Sequence, residues 1–225
     1  MSSHSFDLAF GQLPGSIPVF PLTGVLLLPE GRLPLNIFEP RYLNMVLDAL
    51  ATPRLIGMIQ PAASPAAGED MPALYRTGCA GRITSFSETE DGRLLITLTG
   101  ICRFHVASEL PLLRGYRRVV PDWSPFRADL EPAAVAEGGL LDRSRLDPAL
   151  RAYFQQQGID ANWDAIHQAP DDRLVTSLAM ICPFDATEKQ ALLEAPDQGQ
   201  RAQMLLALIE MAVHDKGNDG DSMRH

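Results

Sequence analysis

The chain has 225 residues, which is enough for one large domain or two small ones with a hydrophobic core. Its formal net charge of −9 argues against a nucleic-acid-binding protein that relies on a generally positive surface. The three cysteines are far apart and form no C-x-x-C pair, which argues against a zinc site or a disulfide framework. We find no signal peptide and no segment near the roughly 20 apolar residues of a membrane span, so we expect a cytoplasmic protein without a membrane partner.

The most apolar stretch, residues 17–42, predicts three strands and the start of a helix. Two prolines in residues 17–22 break any helix and leave an extended segment. The continuous apolar run at 25–28 predicts a strand that is covered on both faces. Apolar residues alternate along 33–37, and Pro34 places this third strand at a sheet edge. A helix over residues 40–50 follows, because its first position is a proline.

The middle of the chain predicts further short strands. Asp91-Gly92 is a strong hairpin signal between strand candidates at 78–87 and 93–99. Gly100 is expected to interrupt the second of these strands. Other strand candidates lie at 54–60, 103–106 and 114–120. Many short strands with glycine and proline turns indicate a sandwich or barrel around the single early helix.

The pattern becomes helical after residue 125. Helices are predicted at 147–157 and from 171 to about 182, with a proline or capping signal at their starts, and one short helix is predicted at 162–168. Capping spacings at Asp185/Glu188 and Asp197/Gln200 predict two more helices. We therefore divide the chain into a β subdomain at 16–123 and a helical bundle at 124–214. Residues 1–15 and 215–225 are expected to be flexible termini.

A search for catalytic motifs finds no phosphate-binding loop, no dinucleotide fingerprint, no H-E-x-x-H and no G-x-S-x-G. The five histidines share no helical spacing for a metal ion. Cys182 lies on an apolar helical stripe and is expected to be a buried structural thiol, whereas Lys189 is expected on a solvated helix face. The sequence therefore predicts no enzyme, no metal and no cofactor.

Two short stretches supply candidate binding residues. The first is the only basic cluster that contains an aromatic residue, and its members are Arg114, Tyr116, Arg117 and Arg118. It could contact phosphates or acidic peptides, or it could be an exposed strand face. The second stretch begins the first helix, and its candidates are Phe38, Glu39, Arg41 and Tyr42. It could form a site or could only fix the corner between strand and helix.

Four motifs in the apolar stretch lie in a fixed order: FPL at 20–22, LP at 28–29, LPL at 33–35 and IFEPRY at 37–42. In this order and spacing they resemble the N-terminal domain of Lon proteases, which also occurs as a free-standing protein. The likeness continues through IGM at 56–58, Asp91-Gly92 and GICRF at 100–104 into the helices. It covers about residues 16–213.

The resemblance implies an α+β fold in which a PUA-like β pseudo-barrel with one early helix precedes a C-terminal α-helical bundle. In full-length Lon this region recognises and tethers protein substrates and helps assembly, while ATP hydrolysis and proteolysis belong to later domains. We therefore expect a non-catalytic module that binds unfolded or partner polypeptides as a substrate-recognition or adaptor protein, with self-association as a further option. Alternatives are an RNA-binding PUA-like protein and a cryptic hydrolase. A peptide would enter a hydrophobic groove or add a strand to a barrel edge.

Overall fold

In the computed structural model, the residues described are 8–62, 71–131 and 140–221, with side chains as far as residue 214. The chain divides into two compact units, Met1–Ala133 and Ala134–His225. The first unit contains all the strands of the described chain and the second contains helices. The predicted α+β class is confirmed.

The described part of the first unit is a six-stranded sheet with one α-helix. The strands are β1 (Ile17–Pro21), β2 (Arg32–Ile37), β3 (Leu55–Ile59), β4 (Thr77–Glu88), β5 (Leu94–Leu113) and β6 (Tyr116–Asp122), and the helix is α1 (Pro40–Leu50). The spatial order is β2-β5-β4-β3-β1-β6. Among the strands of the described residues, β1 and β3 alone pair in parallel. The long strand β5 pairs with β2 and β4 and also reaches β6, so five strands form a closed ring and β2 remains at an edge.

Several predicted elements of this unit are confirmed. α1 has the predicted bounds, and β2 lies at the edge where its proline placed it. β4 and β5 form the predicted hairpin around Asp91-Gly92. The predicted strand at 25–28 is wrong, because this segment is irregular although Leu26–Leu28 are almost fully buried. Its apolar run indicates burial in the core, which a coil can provide as well as a strand.

Gly100 does not interrupt a strand, contrary to the prediction. β5 continues through it, with a register shift opposite Ala80 and Gly81 in β4. A Cβ atom at Gly100 would lie 1.9 Å from the carbonyl oxygen of Leu28, so the glycine allows two backbones to come together. The predicted strand start at Arg114 is also wrong. Arg114 and Gly115 have φ of 49° and 90° and form the two-residue turn between β5 and β6.

The core of the first unit packs around Phe104. A Cβ atom at Gly57 or Gly78 would lie within 2.8 Å of the Phe104 ring, so both glycines make room for the aromatic side chain. The segment 8–13 packs partly buried apolar side chains on this core, and the indole of Trp123 donates to the carbonyl of Pro14 over 3.1 Å. A 3₁₀ helix at Ser124–Leu130 also belongs here, since its Asp129 forms a buried ion pair with Arg103 of β5.

The second unit contains five helices in its described part. They are α2 (Arg143–Gln157), α3 (Trp163–Gln168), α4 (Asp171–Ile181), α5 (Ala186–Glu194) and α6 (Gln198–Asp221). α2 begins four residues before the predicted start, because the Asp142 side chain accepts from the amides of Ser144 and Arg145. Gly158 ends it in the left-handed region, as predicted, and the capping box of Asp185 and Glu188 is present.

The expectation for Lys189 is wrong. Its side chain is buried, its ammonium group donates to the carbonyl of Met180 over 3.4 Å, and burial lowers the pKa of the amine. Cys182 is fully buried, as predicted, and burial raises the pKa of its thiol to about 12. The thiol therefore stays protonated and unreactive at neutral pH.

Candidate functional site

The two stretches of sequence candidates meet between helix α1 and the start of β6. Arg114, in the turn before β6, donates to Asp48 and Asn44 of α1, each over 2.6 Å. A Cβ atom at Gly115 would lie 3.2 Å from the Cβ of Arg41, so the turn packs closely on the first turn of the helix. Residues more than 60 positions apart in the chain thus form one surface.

Tyr116 lies at the centre of this surface. Its hydroxyl group donates to Asp48 over 3.0 Å, and only 3% of the residue is exposed. Burial, reinforced by this hydrogen bond, raises the pKa of the phenol to about 12. Tyr116 lines two cavities of the first unit, which we call the larger and the smaller cavity.

The larger cavity has a volume of about 280 Å³. Apolar side chains form much of its wall, among them Ile17, Pro18, Leu55 and Leu113. Its polar side chains include Asp48, Thr52 and Arg118. Asp48 accepts from Arg114 and Tyr116, Thr52 donates to the carbonyl of Ala49, and Arg118 donates to the carbonyl of Pro111 over 3.3 Å.

The smaller cavity has a volume of about 140 Å³. Prolines form part of its wall, and the sequence candidates that line it are Arg41, Tyr42, Tyr116 and Arg117. The Tyr42 ring packs on Phe20 at 4.2 Å between ring centres, and the Arg41 guanidinium lies 4.6 Å from the centre of the Tyr42 ring. Burial raises the pKa of Tyr42, against the opposing effect of the Arg41 charge.

Most of the candidate arginines have carboxylate partners. Arg41 pairs with Glu39 at 2.9 Å, and both side chains are nearly half exposed. Arg117 is buried and donates to both carboxylate oxygens of Glu109, over 3.0 and 2.6 Å, and to the carbonyl of Pro72. Arg118 differs, because its Nε atom is buried without a hydrogen-bond partner in the described chain.

Seven of the eight sequence candidates belong to this surface or pair directly with it. Phe38 is 61% exposed but lines neither cavity. The backbone of Glu39 caps α1, since its carbonyl accepts from Tyr42 and Leu43, so this corner is also structural. Sequence reasoning missed Asp48, whose only local signal is a carboxylate on the polar face of a helix. Its partners are known only once β6 lies beside α1.

Metal sites and membrane-spanning helices are not found in residues 8–62, 71–131 and 140–214. No group of three histidine, cysteine or acidic side chains there is arranged to hold a metal ion. No helix in this part of the chain combines the length and apolar character needed to cross a bilayer.

Comparison with known proteins points to one family. The family model described as the ATP-dependent protease La (LON) substrate-binding domain matches residues 16–211. Lon protease 1 of Herpetosiphon aurantiacus is 23% identical over 211 residues, which are 90% of this chain and 25% of that protein. The chain thus spans about a quarter of the length of the curated relatives it matches.

Solved structures show the same similarity. A Lon N-terminal domain protein from Xanthomonas campestris has a TM-score of 0.57 and 26% identity, with coverage of 85% of this chain and 97% of that one. The N-terminal domain of the Lon protease of the Mycobacterium avium complex has a TM-score of 0.59, with coverage of 86% and 97%. At 17% identity, the second structure supports the shared fold alone.

Proposed function

Since this chain belongs to the family of the LON substrate-binding domain, we propose that it is a polypeptide-binding module that recognises protein substrates without catalysing a reaction itself. The observation that carries the proposal is the pair of cavities that share Tyr116. In this proposal an extended segment of an unfolded polypeptide or a partner protein places side chains in both cavities, which adjoin at the buried Tyr116.

The composition of the cavity walls supports a polypeptide ligand. Proline, leucine and isoleucine side chains offer apolar contact, and the tyrosines combine a large apolar ring with a polar tip. Concave sites with apolar walls and a few placed polar groups are typical of ligand binding. Leu112 and Leu113, at the end of β5, are 50% and 38% exposed and extend the apolar surface beside the turn.

The same surface does not favour the RNA-binding alternative. Two of the three arginines in the basic cluster already donate to carboxylates, Arg114 to Asp48 and Arg117 to Glu109. A guanidinium group that is paired with a carboxylate adds little net positive charge for a phosphate backbone. We also propose an adaptor role, self-association and a cytoplasmic location for this chain.

Gel filtration with a reduced, carboxymethylated model protein tests the proposal. We expect the unfolded polypeptide to co-migrate with the chain at high micromolar concentration, while the same protein in its native, disulfide-bonded form does not. Thr52→Trp should abolish co-migration, because Thr52 is exposed at the wall of the larger cavity and a tryptophan there fills it.

A matched control is Thr84→Trp, which places the same side chain on an exposed position of β4 outside both cavities. This control should keep the binding. No co-migration with the native chain would contradict a polypeptide-binding function. Equal loss in both variants would contradict the assignment to these cavities.

A further inference from the structure

Arg118 differs from its two neighbours in the basic cluster. Arg114 and Arg117 donate to carboxylates over distances of 2.6 to 3.0 Å. In the described part of the chain, the only hydrogen bond of the Arg118 side chain runs to the carbonyl of Pro111, over 3.3 Å. Its Nε atom is buried and has no hydrogen-bond partner among the described residues. Arg118 lines the larger cavity, and only one of the N–H donors at its Nη atoms is used by a hydrogen bond within the described chain.

A guanidinium group whose N–H donors lack acceptors favours the binding of an anion at the cavity wall. A guanidinium carries five N–H donors, and burying a charged donor without an acceptor costs free energy. A carboxylate satisfies two of these donors at once, in a geometry that matches the planar fork of arginine. The ligand chemistry that fits Arg118 best is therefore a carboxylate.

The other charges of the cavity allow this ligand. Asp48 also lines the larger cavity, but its two oxygens accept from Arg114 and Tyr116. The formal charges of Asp48, Arg114 and Arg118 sum to one positive charge. An incoming carboxylate neutralises this charge and meets no unpaired anion among the groups named.

The remaining wall of the cavity is apolar. Ile17, Leu55 and Leu113 line it together with prolines, so a ligand that presents only a charged group would leave most of the wall without contact. The ligand that fits both features carries a carboxylate next to an apolar side chain. Both cavities are lined by Tyr116. The part of a peptide ligand that precedes the carboxylate can therefore reach the smaller cavity.

We propose that the larger cavity binds the C-terminal carboxylate of a polypeptide whose last residue is apolar, with Arg118 as the carboxylate-binding residue. This inference rests on the proposed function and adds to it a preference for chain ends over internal segments. The terminal side chain occupies the apolar part of the larger cavity, and the preceding residues lead towards the smaller cavity.

The test compares two peptides of the same sequence. One is a fluorescein-labelled decapeptide that ends in leucine with a free carboxylate, and the other is its C-terminal amide. We expect the free acid to bind at least tenfold more tightly than the amide by fluorescence anisotropy, and this ratio to fall as salt is added. Arg118→Gln should reduce the ratio to about one, because glutamine keeps a polar side chain and removes the charge.

Arg93→Gln is the matched control, since Arg93 pairs with Asp91 at the tip of the β4–β5 hairpin, outside both cavities. It should keep the tenfold ratio. Equal binding of acid and amide to the native chain would overturn the proposal and leave the proposed function standing. No binding of either peptide, together with no co-migration of unfolded protein, would contradict both. Binding of N-acetyl-leucine as tight as that of the peptide acid would overturn the assignment to a polypeptide end.

Discussion

Gly100 is one of the glycines of the first unit that leave no room for a Cβ atom, and its neighbour is backbone rather than a side chain. The carbonyl oxygen of Leu28 lies 1.9 Å from the position that a Cβ atom would take, and the amide of Gly100 donates to the carbonyl of Gly31 over 2.8 Å. We expect Gly100→Ala to lower the free energy of unfolding by about 3 kcal/mol or more, since overpacking here displaces backbone. Urea unfolding followed by circular dichroism measures this. Gly15→Ala is the control, because Gly15 has open space around it, and an equally large loss there would contradict the argument.

The titration of Tyr116 makes the folding stability of the chain depend on pH. Its pKa rises from 10.0 to about 12 in the folded chain, so folding favours the neutral phenol. The stability that its hydroxyl group contributes is fully present below pH 10 and is lost as the pH rises towards 12. Tyr116→Phe should cost about 1 kcal/mol at neutral pH by removing the hydrogen bond to Asp48. The difference from the native chain should shrink in denaturant titrations at alkaline pH; a constant difference would contradict this account.

Some single residues could not be placed from the sequence. The charge of Lys189 predicted a solvated face, but the apolar part of a lysine side chain can be buried when its ammonium group reaches a carbonyl. That carbonyl belongs to Met180 in the preceding helix. The position of this carbonyl relative to Lys189 depends on how α4 and α5 pack, and no local sequence pattern predicts that packing.

The edge strand β2 shows how a single proline limits pairing. The hydrogen bond from Gly100 to Gly31 makes Arg32 and Thr99 a non-hydrogen-bonded pair. Hydrogen-bonded and non-hydrogen-bonded pairs alternate along an antiparallel ladder, so Pro34 and Thr97 form another non-hydrogen-bonded pair. The nitrogen of Pro34 therefore points away from β5, towards the edge where no strand of the described chain pairs. A proline at this position removes a donor without a loss inside the sheet.

Pro34→Val should therefore increase self-association by restoring an N–H group on the open edge. We expect a concentration-dependent rise in sedimentation coefficient by analytical ultracentrifugation. Asn36→Val is the control, because Asn36 is also exposed and lies in a non-hydrogen-bonded pair, and its N–H is present before and after the change. If both variants associate to the same extent, the apolar valine side chain causes the association and the restored N–H group does not.

Local signals predicted the elements whose bounds depend on local chemistry. The proline that opens α1, the Asp91-Gly92 turn and the capping box of Asp185 and Glu188 all act within a few residues, and each element follows as predicted. β5 was predicted as two strands because Gly100 reads locally as a break. The reason for this glycine lies in a contact with Leu28, which is 72 positions away in sequence (100 − 28).

At the scale of the whole chain, the candidate site depends on topology. Both stretches of candidates were predicted by residue type and by their motif, but nothing in the sequence placed Arg114 against Asp48. β6 pairs with β1 and α1 packs on both strands, so the turn before β6 is brought to the helix. The carboxylate partners of the arginines follow from this arrangement, and they change the basic cluster from a charged surface into a largely neutral one.

The net charge of −9 favours a polypeptide over RNA as the ligand. Binding to a phosphate backbone releases counterions, so it depends on unpaired positive groups and weakens steeply with salt. Of the cluster at 114–118, Arg118 alone lacks a carboxylate partner in the described chain.

We expect no change in the anisotropy of a fluorescein-labelled single-stranded RNA at low salt, under conditions in which the unfolded model protein binds. Asp48→Asn, which frees Arg114, should still leave RNA binding undetectable because the global charge remains negative. RNA binding to the native chain that falls steeply with added salt would instead favour the nucleic-acid reading and identify Arg118 as a phosphate contact.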